Sequence, residues 1–358
     1  MVAQRRDHHD PVVRPDFRVG SSRVRRHTGQ YGLRVRLRDA AEVARPAVTA
    51  SSSAMFNHLL TTRVCLLIAL CCASLQAQEL QPDHKERVDA AIPRKATARP
   101  NRPRRMLVTN LSMRDGRPVR GSSAAAIPAG NYAIQQMGKV TGAYEAVFND
   151  DVEMFRPANI TQFDAICFNN TLGVLFDDPE LRASLLGFVE SGKGFVGIHD
   201  AIATFVQHPK YDQWPEFGRM LGGTENGGHP WNGEVMTMKV EDPGNPINAA
   251  FRGQIFQIAD QAFQLQEPVL RDRMHVLLRI DPDRTGPARR ILPVRQEDMD
   301  FPMSWIRRQG KGRVFYTGLG HGPDSFANAR LLAHLLAGIQ YALGDLEAND
   351  APDGTRRR

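Results

Sequence analysis

The 358-residue chain carries 46 Lys and Arg against 39 Asp and Glu, a formal charge of +7 that on its own would suggest a nucleic-acid partner. Basic residues outnumber acidic ones by 11 to 5 over residues 1–54, by 1 to 0 over 55–78 and by 8 to 4 over 79–105, so residues 106–358 are acidic by 4. With no basic stripe and interleaved aromatics in that acidic part, nucleic-acid binding is excluded.

Residues 1–54 have little hydrophobic periodicity and read as a disordered leader, upstream of the true start at Met55. Residues 55–78 read as a signal peptide: a short positive start ending at Arg63, an apolar run from Val64 to Ala73, and small residues at Ser74 and Ala77. That run is shorter than the roughly 20 residues of a spanning helix, so the expectation is an exported, periplasmic or secreted protein with no stable membrane span after signal removal. Cys65, Cys71 and Cys72 lie in the signal, which leaves Cys167 alone in the mature chain and rules out an intramolecular disulfide. Residues 79–105, polar and holding Pro82, Pro93, Pro100 and Pro103, read as a disordered linker.

From Met106 strand and helix patterns alternate. Met106–Leu111, Tyr144–Asn149, Phe163–Asn169 and Gly194–Ile198 read as strands. Tyr132–Val140 reads as a helix, as does Asp177–Glu190, with an Asp cap, Pro179 in its first turn and Leu181, Leu185, Leu186 and Val189 on one stripe. Single helices between strands imply βαβ crossovers and a mostly parallel sheet, whose ligand crevice lies at the carboxyl ends of the strands. The second half is richer in strands, with Glu234–Val240, Met274–Ile280 and a hairpin of Met303–Arg308 and Arg313–Leu319 turning at Gly310 and Gly312. A helix over Ser325–Leu343 closes the domain, 106–345, before a flexible tail, 346–358.

Three histidines fall where the crevice rule points. His199 and His321 follow strands, and His229 lies in the glycine-rich loop 222–230. Imidazole can shuttle protons near neutral pH or ligate a metal, although each of the three also has a purely structural, hydrogen-bonded reading. Asp260 is a candidate general base or ligand beside them, or a solvated loop carboxylate. Arg307 is a candidate to hold a substrate oxygen, Trp231 to stack on a sugar ring, and Asn170 and Thr171 to bind hydroxyls. A divalent metal such as zinc is chemically reasonable, but no close His pair supports it, and oligomeric state is not legible.

The run Glu190–His199, the segment Trp214–Gly223 leading to Gly228–Pro230, and Ser304–Arg307 leading to Gly310–His321 together resemble the ThuA-like (trehalose utilisation) family. The resemblance implies a flavodoxin-like α/β fold similar to class I glutamine amidotransferases, with helices on both sheet faces, and a small-molecule sugar substrate from disaccharide or keto-sugar catabolism. Where amidotransferases of this fold place a cysteine nucleophile, this chain has His199, so glutamine hydrolysis is not expected. Where relatives show Asp-Glu-x-Tyr it has Asp260-Gln261-Ala262-Phe263, and where they often show His-Ser in the first long loop it has Ser122-Ser123. The expected function is a hydrolase or lyase using catalytic His199, His229, Asp260 and His321, with a non-catalytic carbohydrate-binding or interaction module as the alternative.

Overall fold

The apolar runs of the sequence become strands of one nine-stranded sheet in the computed structural model, which describes residues 80–207, 211–212, 214–266, 271–288 and 300–354. The expected leader and signal peptide lie outside the described residues. The strands are β1 (Arg105–Thr109), β2 (Glu145–Phe148), β3 (Ala165–Asn169), β4 (Gly194–Ile198), β5 (Trp231–Val240), β6 (Phe256–Ala262), β7 (His275–Ile280), β8 (Pro302–Gln309) and β9 (Gly312–Thr317). Their order is β6-β5-β7-β8-β9-β4-β3-β1-β2.

Strands β2, β1, β3, β4 and β9 run parallel, in the flavodoxin-like order with its switch point between β1 and β3. The strand-rich second half adds β8, β7, β5 and β6 as an antiparallel extension. β3 and β4 are buried along their whole length, as central parallel strands with both faces covered must be.

One face packs against α2 (Ile127–Thr141) and α5 (Ala329–Ala342), which bring Ala133, Ile134, Leu332 and Leu335 onto Val108, Cys167 and Ile198. The other packs against α3 (Pro179–Glu190) and α4 (Pro215–Leu221), whose Leu185, Phe188 and Phe217 meet Ile166, Phe168 and Phe195. α3 starts where the sequence placed it, because Asp178 accepts the Glu180 N–H at 2.8 Å and Pro179 occupies the first turn. Cys167 is buried in β3, and that burial pushes its thiol well above the usual range, as suits a small core residue.

The segment expected to be a disordered linker is folded. Pro82–Ala91 forms α1, a polar helix with one apolar edge, and Val88, Ala91 and Ile92 join the core. Beyond it the Thr97 and Ala98 amides donate to Gln340 at 2.7 and 3.1 Å, and Arg104 pairs with Asp345 at 2.6 Å. The basic run is thus a set of anchors, which composition alone does not distinguish from solvated charge. The expected flexible tail is likewise tied down through residue 354. Leu346 is buried, Tyr341 donates to Asp350 at 2.7 Å, and Asp353 accepts from Arg271 and from the Val276 amide.

His334 on α5 is buried, its Nδ1 donating to the Ile247 carbonyl at 3.1 Å and its Nε2 lying 2.9 Å from the Ser304 hydroxyl. Burial lowers its pKa from 6.5 to about 4. A depressed folded-state pKa contributes stability that is present above pH 6.5 and lost as pH falls toward 4, here about 3 kcal/mol. Unfolding free energies measured by urea between pH 7 and pH 4 should therefore fall less steeply in His334→Gln than in the wild type, and parallel slopes would refute this.

Candidate functional site

At the carboxyl edge of the sheet the backbone turns through two left-handed residues, Asn170 (φ 57°) after β3 and His199 (φ 46°) after β4. Side chains other than glycine rarely adopt this region, and the surrounding structure holds them there. The Tyr316 hydroxyl donates to the His199 carbonyl at 2.9 Å, and Asn170 Nδ2 donates to the Gly320 carbonyl at 3.3 Å.

The His199 ring is fully buried. Its Nδ1 lies 2.7 Å from the Gly318 carbonyl, which only accepts, so Nδ1 carries a hydrogen. Nε2 faces Gln261 Oε1 at 3.2 Å and Asp200 Oδ1 at 3.4 Å, and Asp200 in turn accepts from the Ser122 hydroxyl at 3.1 Å. His321 stands with its ring centre 5.1 Å from that of His199 and its Nδ1 3.0 Å from the Ser123 hydroxyl. Its pKa lies below 6.5, because burial and the neighbouring His199 together outweigh the opposing Asp200 and Asp260 carboxylates. His321 is therefore a neutral imidazole at pH 7, able to take up a proton. His229 joins through Phe263, whose ring centre is 4.8 Å from His199 and 5.1 Å from His229. His229 and His321 are partly buried, whereas His199 is fully enclosed.

Asp260 is a buried residue of β6 rather than a loop carboxylate. One oxygen accepts from the Gly320 amide at 2.9 Å and the Ser325 hydroxyl at 2.6 Å, and the other from the His321 and Gln261 amides at 3.0 and 2.8 Å. With both oxygens so committed, Asp260 holds the turn that bears His321. Gln261 puts a neutral amide at His199, so Asp200 is the carboxylate next to the histidines. Among the described residues no three His, Cys, Asp or Glu side chains are grouped to hold a metal ion.

Of the remaining expectations, only Asn170 is at the site. Thr171 is buried, with its hydroxyl 2.6 Å from that of Thr204. Trp231 is buried against Phe301 and donates to the Gly286 carbonyl at 2.8 Å, so its faces are closed to a sugar ring. Arg307 pairs with Val314 in the β8–β9 ladder, away from the carboxyl end of β9, and donates to the Arg219 carbonyl. These three residues are filled by the fold and are not free to bind substrate. Glu225, in the glycine-rich loop 222–230, is buried.

Several site residues were not identified from sequence. Asp200 adjoins His199, and the same strand-end rule would have found it. At the switch point Asn110 donates to the Asn169 carbonyl at 2.8 Å, Asn131 to Asn110 at 2.9 Å and Asn169 to Asn131 at 3.0 Å. Asn110 and Asn169 were visible as polar residues at strand ends, whereas Asn131 arrives from α2 and only the packing reveals it.

A family model described as trehalose utilisation, ThuA, matches residues 119–342. A ThuA-like protein from Bacteroides uniformis superposes with a TM-score of 0.51 at 18% identity, over 67% of this chain and 93% of its own. Another from Parabacteroides merdae gives a TM-score of 0.48 at 15% identity, over 68% and 90%. No curated protein matches the sequence.

Proposed function

Because the chain belongs to the ThuA, or trehalose utilisation, family, we propose that it is a hydrolase or lyase that cleaves disaccharides or their keto derivatives. The observation that carries this reading is the neutral, partly open imidazole of His321 packed on the His199 and Asp200 pair at the crevice edge.

A carbonyl in a keto-sugar acidifies the adjacent C–H bond. His321 takes that proton, the electron pair of the broken C–H bond becomes a C=C bond to the anomeric carbon as the glycosidic C–O bond breaks, and the departing oxygen receives a proton from His229 on the other side of Phe263, so that the products are an unsaturated keto-sugar and the released sugar or alcohol. Ser123, at His321 Nδ1, and Asp260, at the His321 amide, fix the ring that receives the proton. The exposed Ser122 hydroxyl offers a hydrogen bond to a sugar oxygen, whereas Asn170 is buried, its amide on Gly320 and Asn169 and its oxygen on the Asp200 amide, and shapes the turn behind.

The test is a screen of disaccharides, trehalose first, and their 3-keto derivatives against the purified protein, reading product by chromatography. Cleavage of at least one member is expected. Sugar binding without cleavage of any would instead establish a carbohydrate-binding module on this fold.

A further inference from the structure

On the segments that continue from the Asn170 and His199 turns the carboxyl edge opens into a cleft of about 410 Å³, within the range of small-molecule pockets, lined by none of the three histidines. Its walls continue the two strained turns of the site. Leu172–Val174 follow Asn170, and Ala203, Val206 and Gln207 follow His199. The two walls are stitched together where the Phe205 amide donates to the Gly173 carbonyl at 2.8 Å and the Gly173 amide to the Ala203 carbonyl at 3.1 Å.

The third wall is a short hairpin, Met113–Arg114 with Arg117–Pro118, seated directly on Gly173. Gly173 has φ 74°, and a Cβ there would come within 1.9 Å of the Met113 carbonyl oxygen. The hairpin is fastened at both ends, by the Met113 amide on the Leu172 carbonyl at 2.8 Å and by Gln207 Nε2 on Asp115 Oδ1 at 2.8 Å. Asp115 and Phe205, at its two sides, also have positive φ, of 51° and 59°. Asp115 and Gly116 form the two-residue turn of the hairpin, where positive φ is the favoured geometry, so the strained positions on this edge are Asn170, His199 and Phe205, three of the five positive-φ non-glycine residues among the described residues.

We infer that this cleft receives the second ring of a two-ring sugar substrate whose first ring is at the histidines. The inference rests on the function proposed above. The lining suits an uncharged polyol: Arg114 and Gln207 donate, Asp115 and Glu225 accept, and Met113, Leu172 and Val174 offer apolar surface to ring C–H groups. One cationic and two anionic side chains oppose an anionic ligand.

The experiment compares kcat/KM for 3-keto-trehalose with that for a 3-keto-glucoside bearing a methyl leaving group, in the wild type, in Arg114→Ala/Gln207→Ala and in Val174→Trp. The first variant alters exposed or half-buried polar groups, so it keeps the test valid if the bulky one fails to fold. The ratio favouring the two-ring substrate should fall about tenfold or more, the effect of losing one or two hydrogen bonds to the distal ring. An unchanged ratio in a folded variant would overturn the cleft assignment while leaving the histidine site standing. A wild type that turns over neither sugar would overturn both.

Discussion

Replacing His321 with alanine is expected to lower kcat for the cleaved sugar by two to four orders of magnitude, about the contribution of one positioned general base. The expectation follows from protonation state as well as position. A base must be neutral to act, and burial together with His199 holds His321 below 6.5. The acid limb of kcat/KM against pH should therefore fall at a lower pH than that of an ordinary imidazole. Ser123→Ala removes the hydroxyl at Nδ1 and leaves the ring, so it should cost far less than the alanine variant, about tenfold. Steady-state rates from pH 5 to pH 9 on the three proteins check the set. A His321→Ala enzyme within threefold of wild type would sink the assignment.

What the sequence makes legible is set by how much of each element's environment is local. Gly194–Ile198 is read correctly to the residue, because a buried parallel strand must be apolar along its whole length, and its bounding glycine and histidine stop the pattern. The Asp178 cap of α3 is equally local. α1 escapes because its two buried residues, Val88 and Ala91, are too few to show periodicity above a charged background. β6 escapes because it is an edge strand whose first half, Phe256–Ala259, alternates half-buried and exposed positions with a polar residue among them. The same logic divides the site. His199 and Asn170 directly follow strands and His321 lies on the turn beyond β9, where topology places them at the crevice. Arg307 and Trp231 carry suggestive chemistry, but which way a strand residue faces, and what fills the space before it, depends on partners distant in sequence.

Asp260 is where the two readings of a carboxylate separate by measurement. If it were a base exposed to substrate, Asp260→Ala would abolish turnover and leave stability within about 0.5 kcal/mol of wild type, as surface changes do. The geometry predicts the opposite pairing. Removing the carboxylate strands the Gly320, His321 and Gln261 amides and the Ser325 hydroxyl in the interior, and leaving even some of them unsatisfied costs about 3 to 5 kcal/mol in total. Because two of those donors belong to the turn that carries His321, turnover should fall with stability. Asp260→Asn keeps one acceptor oxygen and should recover part of both, whereas a catalytic carboxylate replaced by its amide would recover stability alone. Urea unfolding read beside steady-state rates for the three proteins decides between them: parallel losses in the two quantities establish Asp260 as the residue that positions His321, and a stable, inactive alanine variant would make it the base.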